Sequence, residues 1–451
     1  MIEGPLLIVI LLLAVALIIV STAKLRLHPF LALIAAAFFV GLLVGMPLTD
    51  LAEAVSGGFG AIMGYIGLVI VFGTIIGTVL EKTGAALKMA EIVIRRVGEK
   101  RPQLAMSLIG AIVSVPVFCD SGYVILSSLK KAMAKRAKVA LASMAVALAT
   151  GLYATHTLVP PTPGPIAAAG NIGASDYLGT IILIGLVVSV PTIFAGYLWA
   201  TRVASRIRIE GEDENISYDE VLQQFGDLPS AWKAFAPILA PILLIGIGSV
   251  VSLTGYDGFG AETLLFLGAP TVALFAGLLF SLFLFPRFNE ETLTGWIGEG
   301  IKNAAPILLI TGAGGAFGRV LSETPIDALI KGMAEGGLPG GAFVLLLPFA
   351  IAAGLKTAQG SSTAALVVTS ALVAPLLGGM GIESPVQLAL VVMAIGAGAM
   401  TVSHANDSYF WVVTQFSGMD VKDAYKAQTL ATLVQGMTAF AVTFLLYVIL
   451  V

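Results

Sequence analysis

The sequence predicts an all-α polytopic membrane protein. Of its 451 residues, 58% are hydrophobic and 11% are charged, whereas a soluble domain carries charge on about 25% of its residues. The apolar residues form about ten or eleven stretches close to the length of roughly 20 residues that a spanning helix needs. Two further apolar regions are interrupted by polar and proline residues. Together these observations predict one membrane domain built from two halves.

Continuous apolar segments mark the predicted spanning helices, which cover 5–23, 28–47, 58–80, 139–159, 176–199, 234–254, 262–285, 303–322, 385–402 and 427–451. The first is interpreted as a spanning helix and not as a signal peptide, because it lacks a basic amino-terminal region and a small-residue cleavage site. The net charge of −3 and the lack of a basic stripe argue against a nucleic-acid partner. Cys119 is the single cysteine, which excludes an intrachain disulfide and a cysteine metal cluster.

The two interrupted regions are predicted to be re-entrant helical hairpins with polar tips. Region 103–129 is broken by Pro116 and by the polar run Cys119 to Gly122, and region 339–378 is broken by the polar run Lys356 to Thr363. Irregular backbone at membrane depth is tolerated only where protein or water satisfies its polar groups. A continuous helix facing lipid would not carry such runs at its centre.

The basic residues indicate the orientation. Both flanks of the first hairpin are strongly basic, so a hairpin that enters and leaves from the cytoplasm is favoured over a full crossing. All basic residues except Arg319, Lys331 and Lys356 then lie on the cytoplasmic side, the second hairpin enters from the periplasm, and both termini are periplasmic. The hydrophilic segment 202–233 is predicted to be a cytoplasmic linker between a first half, 1–201, and a second half, 234–451.

The two halves share an order of parts. GTVLEKT at 77–83 and GRVLSET at 318–324 align, and each is followed by an amphipathic segment (84–98 and 325–337), a hairpin, and a helix that is predicted to break at a histidine, His156 or His404. Because the halves insert in opposite directions, we predict an inverted repeat. Such repeats place the substrate site near the membrane midplane, at the repeat interface.

Two polar motifs are predicted to break spanning helices. The first, ATHTLVPPTPGP at 154–165, contains prolines that lack the N–H donor of a helix. The second, SHANDSY at 403–409, places six polar side chains in seven residues between apolar flanks, which is costly in lipid and typical of a site. No Walker motif is present, so ATP is not expected as the energy source and no cofactor or metal is predicted.

Particular residues are candidates for binding and proton transfer. Lys356 is predicted to be the counter-ion of a substrate carboxylate, with a salt bridge to an acidic neighbour or snorkelling to the interface as the alternatives. Ser361 to Thr363 would add hydroxyl and N–H donors, although ordinary helix capping uses the same groups. Arg319 is a weaker candidate for the cation. Gln359, Asn406 and Thr157 are expected to bond substrate hydroxyls.

Four residues are candidates for the coupled proton: His156, His404, Asp120 and Asp407. For the histidines the alternative is a structural hydrogen bond to a nearby carbonyl. For the aspartates it is helix capping.

The stretches SVPVFCDSGYVIL, ATHTLVPPTPGPIAAAGNIGA and SHANDSYFW resemble the gluconate permease family, gluconate:proton symporters of the ion-transporter superfamily. The resemblance covers nearly the whole chain. It implies a homodimer in the lipid bilayer with a scaffold domain and a transport domain that moves like an elevator. It also implies that the substrate is held by the hairpin tips and broken helices, at Asp120, Ser121, Gly122, Thr155, His156, Thr157, Thr162, Lys356, Thr357, Gln359, Gly360, Ser361, Ser362, Thr363, Ser403, His404, Asn406 and Asp407.

The function predicted from the residues and the resemblance is symport of gluconate, or a related small hydroxy-acid anion, with protons across the bacterial inner membrane. Thr162 and Asp120 depart from the pattern of gluconate-specific members, so D-serine and D-glycerate are alternative substrates. Two other classes are an intramembrane hydrolase, which would need a nucleophile and base in one geometry, and a passive channel. The duplicated polar clusters and opposed hairpins favour a transporter over both.

Overall fold

In the computed structural model the chain is helical almost throughout. The structure describes residues 2, 5–98, 101–209, 227–325, 341–405 and 407–451, and no strand occurs in these residues. The helices are α1 (Pro5–Ala23), α2 (Pro29–Val44), α3 (Leu48–Lys82), α4 (Ala85–Val93), α5 (Pro102–Val113), α6 (Cys119–Ile125), α7 (Ser127–Ala137), α8 (Leu141–Leu158), α9 (Pro163–Asn171), α10 (Leu178–Arg202), α11 (Ala231–Thr254), α12 (Ala261–Gly268), α13 (Pro270–Leu282), α14 (Ile297–Ser322), α15 (Leu346–Gln359), α16 (Ser362–Val373), α17 (Pro385–Met400), α18 (Ser408–Ser417), α19 (Val421–Ala424) and α20 (Leu430–Leu450).

Within the described residues, seven helices are long and apolar enough to cross a membrane, or up to eight if the bent pair α12–α13 is one span. The sequence predicted about eleven. Six of the seven fall in predicted spans, and the seventh, Gly341–Gln359, lies in the region predicted to be the second hairpin. Three other predicted spans are occupied by α1, α2 and α17, which are shorter apolar helices. A helix of 16 residues, such as α2 or α17, is about 24 Å long, which is near the lower limit for a membrane core of about 30 Å.

One predicted span is not a single helix. The segment 262–285 breaks between α12 and α13, whose axes are bent by 70°. The physical reason is Pro270, since the residue before a proline avoids the helical region and Ala269 is extended, with ψ 129°. Another span, predicted to begin at residue 58, begins at Leu48 as the 35-residue helix α3.

The two hairpin regions contain the predicted interruptions. In the first, α5 ends at Val113 and a turn with Pro116 leads into α6 at Cys119. In the second, Lys356 to Gln359 remain helical, contrary to the predicted polar break. The helix is interrupted only at Gly360 and Ser361. Gly360 has φ 82°, a conformation that glycine adopts without strain, and the hydroxyl of Ser361 caps α16 by accepting from Ala364 N–H.

The two broken helices differ in where they break. The helix α8 continues through His156 to Leu158, so the predicted break at this histidine is wrong; the chain leaves the helix at Val159 because prolines follow. The second break is confirmed: α17 ends at Met400 and His404 lies in the non-helical segment before α18. The two histidines therefore do not occupy equivalent positions.

The interior of the molecule is built from the helices beside these breaks. Every residue of α8 is buried, and α9, α16 and α17 are almost entirely buried, whereas α11 and α20 expose much apolar surface. The irregular backbone after α8 and α17 is thus surrounded by protein, as a membrane requires. Most of the linker, at 210–226, and most of the amphipathic segment of the second half, at 326–337, lie outside the described residues.

Candidate substrate site

The candidate site lies where the second hairpin meets the segment before α18. Its central contact is an ion pair between Lys356 Nζ and Asp407 Oδ2, 2.6 Å apart, whose side chains are 0% and 4% exposed. Lys356 is in the last turn of α15, and Asp407 is the N-cap residue of α18. The end of α15 and the start of α18, which are distant in sequence, therefore bring opposite charges together inside the protein.

Asp407 also accepts two hydrogen bonds from its own segment. Its Oδ1 accepts from Tyr409 N–H at 3.2 Å, as an N-cap carboxylate does, and its Oδ2 accepts from Ser403 Oγ at 2.5 Å. Ser403 is itself fixed, because its N–H donates to Thr432 Oγ1 at 2.9 Å and its carbonyl accepts from Thr429 Oγ1 at 2.6 Å. The carboxylate is thus oriented by α20 as well as by α18.

Lys356 is held within its own hairpin. Its Nζ donates to the carbonyl of Gly360 at 2.7 Å and lies 5.7 Å from the ring centre of Tyr153. The structure therefore places Lys356 in the salt bridge that was the alternative to a free counter-ion. A carboxylate from a ligand can bind this ammonium only by sharing it with Asp407 or replacing Asp407.

The first hairpin reaches the same site through its second arm. Asp120 Oδ1 accepts from Ser408 Oγ at 3.3 Å, next to Asp407 in sequence, and Phe118 lies against the His156 ring with 6.0 Å between ring centres. Gly122 serves packing, because a Cβ at this position would lie 2.7 Å from a methyl group of Leu152. Ser121, between them, is partly buried.

Two side chains in this region have buried polar atoms without a hydrogen-bond partner. Both amide atoms of Gln359 are buried and make no hydrogen bond, and the same holds for Nδ1 of His156. Buried polar groups are nearly always paired, and leaving one unpaired costs about 1–3 kcal/mol. Such groups beside a buried ion pair are the ones that a polar ligand would satisfy.

Other predicted site residues have their hydroxyls or rings in use. The hydroxyls of Thr155, Thr157 and Thr162 donate to the carbonyls of Ala111, Tyr153 and Val159 at 2.8, 3.1 and 2.6 Å. Their remaining lone pairs can still accept.

In the second hairpin, Ser362 Oγ pairs with Tyr153 OH at 2.6 Å, and His404 Nε2 lies 2.9 Å from the carbonyl of Thr357. Thr363 is partly buried on α16. Asn406 lies outside the described residues.

Arg319 is not brought to this site. It forms an ion pair with Glu323, 2.8 Å apart, and is 61% exposed. Both residues line a separate cavity of about 550 Å³ together with Asp50 and Glu53 at the start of α3.

Sequence reasoning missed two tyrosines that complete the site. Tyr153 and Tyr409 are buried, their ring centres are 5.0 Å apart, and Tyr409 OH donates to the Ala149 carbonyl at 2.8 Å. Both lie in or beside apolar helical stretches, where a tyrosine is not distinguished from ordinary core. The available signal was their position within or next to the two polar motifs.

Comparison with known proteins decides the family. Residues 6–449 match the family model described as GntP family permease. The chain belongs to this family. It is 31% identical to a gluconate permease of Pseudomonas aeruginosa, over 96% of each chain, and 31% identical to a D-serine transporter of Escherichia coli, over 97% of each. With the helices described above, this makes the permease a multi-pass protein of the bacterial inner membrane.

The fold is shared with solved transporters. The YdaH transporter of Alcanivorax borkumensis superposes with a TM-score of 0.67 over 93% of this chain and 98% of its own, at 14% identity. At this identity the likeness describes the fold only. The family and its relatives are permeases, which supports a transporter and not an enzyme.

Proposed function

We propose that this permease carries gluconate, or a related small hydroxy-acid anion, into the cell together with a proton. D-Serine and D-glycerate are the alternative substrates, the first because it is the named substrate of a relative of equal identity. The observation that carries the proposal is the complete burial of Lys356. Among the described residues its one ionic partner is Asp407, whose carboxylate could be replaced by the carboxylate of a substrate.

A buried cation needs a negative partner, because removing a charge from water without compensation is expensive. In the structure Asp407 supplies that partner. When Asp407 takes up a proton from water, its negative charge is lost, and the carboxylate of the substrate replaces it beside Lys356. One anion and one proton then enter the site together, so the net charge of the site does not change. This balance couples substrate binding to proton binding.

The remaining carriers proposed from sequence fit this scheme less directly. His404 Nε2 is engaged with the Thr357 carbonyl, and Asp120 contacts Ser408 rather than a cation. His156 has an unpartnered nitrogen and is buried, which suits a hydrogen bond to a substrate hydroxyl. Gln359 offers a donor and an acceptor for a second hydroxyl. We assign the proton to Asp407 because it alone among these residues is paired with Lys356.

Release on the other side requires that the site change its access. We propose that the hairpins are re-entrant from opposite faces, that the two halves form an inverted repeat, and that α5–α10 with α15–α20 move as a transport domain in a homodimer. The test is labelling of single cysteines at Gln103 and Arg136 in a Cys119→Ser background with a membrane-impermeant reagent. Both positions are expected to react only from the cytoplasmic side, and reaction from opposite sides would rule out the first re-entrant hairpin.

The function is tested by uptake in proteoliposomes with an imposed pH gradient. Radiolabelled gluconate, D-glycerate and D-serine are compared with and without a protonophore. Accumulation of at least one of them is expected to follow the gradient, by about tenfold per pH unit for one proton. Saturable uptake that equilibrates but ignores the gradient would contradict proton coupling, and uptake that does not saturate would favour a channel.

A further inference from the structure

Lys130, on α7, is buried as completely as Lys356 but has no role in the proposed exchange. Its Nζ donates to Tyr123 OH at 3.0 Å, to the Phe416 carbonyl at 3.1 Å and to Ser417 Oγ at 2.9 Å. These three acceptors match the three hydrogens of an ammonium group. The charge also lies 4.5 Å from the centre of the Tyr123 ring. Lys130 is thus fully used by the end of α18 and by the first hairpin.

This arrangement is costly for folding. Within the described part of the chain, no carboxylate lies in ion-pair contact with Lys130. Removing a charge from water is expensive, and neutral hydrogen-bond acceptors without a carboxylate offset this cost only in part. A lysine here therefore points to a role other than stability.

The contacts of Lys130 lie at one end of a longer contact between the segment α6–α7 and the helix α18. Asp120, on α6, contacts Ser408 at the start of α18, and Lys130 contacts Phe416 and Ser417 at its end. The two segments run side by side in the same direction, with partners 286–288 residues apart in sequence. The second arm of the first hairpin therefore holds α18 at both ends.

The two ends of α18 face different chemistry. At its amino end, Asp407 pairs with Lys356 of the second hairpin. At its carboxyl end, the free carbonyls carry partial negative charge, which the Lys130 ammonium stabilises. A helix of 10 residues is about 15 Å long and moves as a unit, so the position of its far end sets where Asp407 lies. Tyr409 adds to this connection, since its ring packs between Tyr123 and Tyr153, with centres 6.2 and 5.0 Å away.

We propose that Lys130 is a positioning residue of the substrate site: its ammonium fixes α18 against the first hairpin and so keeps Asp407 within reach of Lys356. This inference rests on the proposed function of the Lys356–Asp407 pair. It assigns Lys130 no contact with the substrate. It also explains why a buried charge occurs where an apolar side chain would fold better.

The test compares Lys130→Met with Lys130→Arg, which keeps the charge, and with Lys422→Met, an exposed lysine of α19, as the control. Lys130→Met is expected to tighten gluconate binding about tenfold, because an Asp407 that is held less closely competes less well with the substrate carboxylate for Lys356, without lowering the melting temperature. Lys130→Arg is expected to bind within about threefold of wild type, because a guanidinium is also a cation with N–H donors for these acceptors. Wild-type affinity in Lys130→Met, or a lowered melting temperature with unchanged affinity, would overturn the proposal.

A second measurement separates this inference from the proposed function. Spin labels at Val124 and Gln415, both exposed, report the distance between the first hairpin and α18 in a Cys119→Ser background. A single narrow distance distribution is expected with Lys130 and a broadened one with Lys130→Met. An unchanged distance distribution in Lys130→Met would overturn the positioning role, whatever the transport result. Failure of the wild-type protein to take up any of the three proposed substrates would refute only the proposed function.

Discussion

The two completely buried lysines of the described chain have opposite surroundings. Lys356, in the second hairpin region, faces a carboxylate 2.6 Å away, whereas Lys130, on α7 just after the first hairpin region, faces three neutral oxygens at 2.9–3.1 Å. A carboxylate can be neutralised by a proton and replaced by another carboxylate. Neutral oxygens of a helix end and two hydroxyls cannot be exchanged in this way. The comparison therefore separates a cation that can change partners from one that holds structure in place.

The largest effect is expected from Lys356→Met. This variant leaves the Asp407 carboxylate buried without a partner, which destabilises by about 3–5 kcal/mol. It also removes the cation for the substrate, so gluconate binding is expected to weaken about a hundredfold, equivalent to ~3 kcal/mol. Thermal unfolding and a binding isotherm measure the two effects.

The double variant Lys356→Met, Asp407→Asn is the control. It is expected to recover the melting temperature without recovering binding, because no unpaired charge remains and no cation is restored. Unaltered affinity in either variant would contradict the exchange of partners at Lys356.

The next effect is a loss of coupling in Asp407→Asn. An asparagine resembles the protonated aspartate in shape and charge, so exchange of labelled for unlabelled substrate should persist. Accumulation driven by a pH gradient should fall to equilibrium. The matched control is Asp420→Asn, which replaces an exposed N-cap of α19 by an equally good cap. Gradient-driven accumulation that survives in Asp407→Asn would place the proton elsewhere, with His156, His404 and Asp120 as the remaining candidates.

A smaller effect tests the close packing of α5, in the first hairpin region, against the buried helix α8. A Cβ at Gly151, on α8, would meet the carbonyl of Ser107, on α5, so Gly151→Ala is expected to destabilise by about 1–3 kcal/mol. Gly246→Ala on α11 is the control, because a Cβ there meets no atom within 4 Å and alanine favours helix by up to about 1 kcal/mol. A Gly151→Ala protein as stable as wild type would show that α5 can shift away from α8 at no cost.

The smallest effect is expected at Glu91, an ion pair outside the site. Its carboxylate lies 2.7 Å from Lys88 Nζ and 2.5 Å from Arg95, and the Lys88 hydrogen bond holds the pKa of Glu91 below its ordinary value of 4.5. The pair therefore stabilises the folded state above that ordinary value, and its contribution is lost as the pH falls through the lower folded value. Glu91→Gln should cost at most about 1 kcal/mol at neutral pH. A melting-temperature difference between Glu91→Gln and wild type that does not shrink as the pH falls below 4.5 would contradict this assignment.

Sequence reasoning singled out the polar run of the second hairpin region and the segment that contacts it for a simple reason. Polar side chains are rare within apolar spans, so Lys356 and the run from Ser403 to Asp407 stood out against their flanks. The same reasoning placed the first break at His156, because this histidine is a polar residue within an apolar span. The helix instead continues to Leu158 and ends where the prolines follow, since a proline restricts the backbone of the residue before it. A salt bridge from Lys356 to an acidic neighbour was included only as an alternative, and Asp407 was not predicted to be that neighbour, since separation in sequence gives no distance.

Sequence reasoning missed other features of the structure. Lys130 is the first of several basic residues after Leu129 and was assigned to a solvated cytoplasmic flank; its burial depends on α18, which is distant in sequence. Tyr153 and Tyr409 lie in or beside apolar helical stretches, where a tyrosine resembles an ordinary core residue. The bend before Pro270 was missed because the apolar stretch 262–285 is otherwise continuous. Tertiary contacts decide these cases, and neither composition nor periodicity contains them.

The central claim, that the substrate carboxylate replaces Asp407 beside Lys356 as Asp407 gains a proton, is tested most directly by counting protons during binding. Calorimetric titration of the purified permease with gluconate, D-glycerate and D-serine in buffers of different ionisation enthalpy gives the protons taken up per ligand bound. The account predicts about one proton per ligand in the wild type and none in Asp407→Asn, by linkage between ligand and proton binding. Binding without proton uptake in the wild type, or equal uptake in Asp407→Asn, would contradict it.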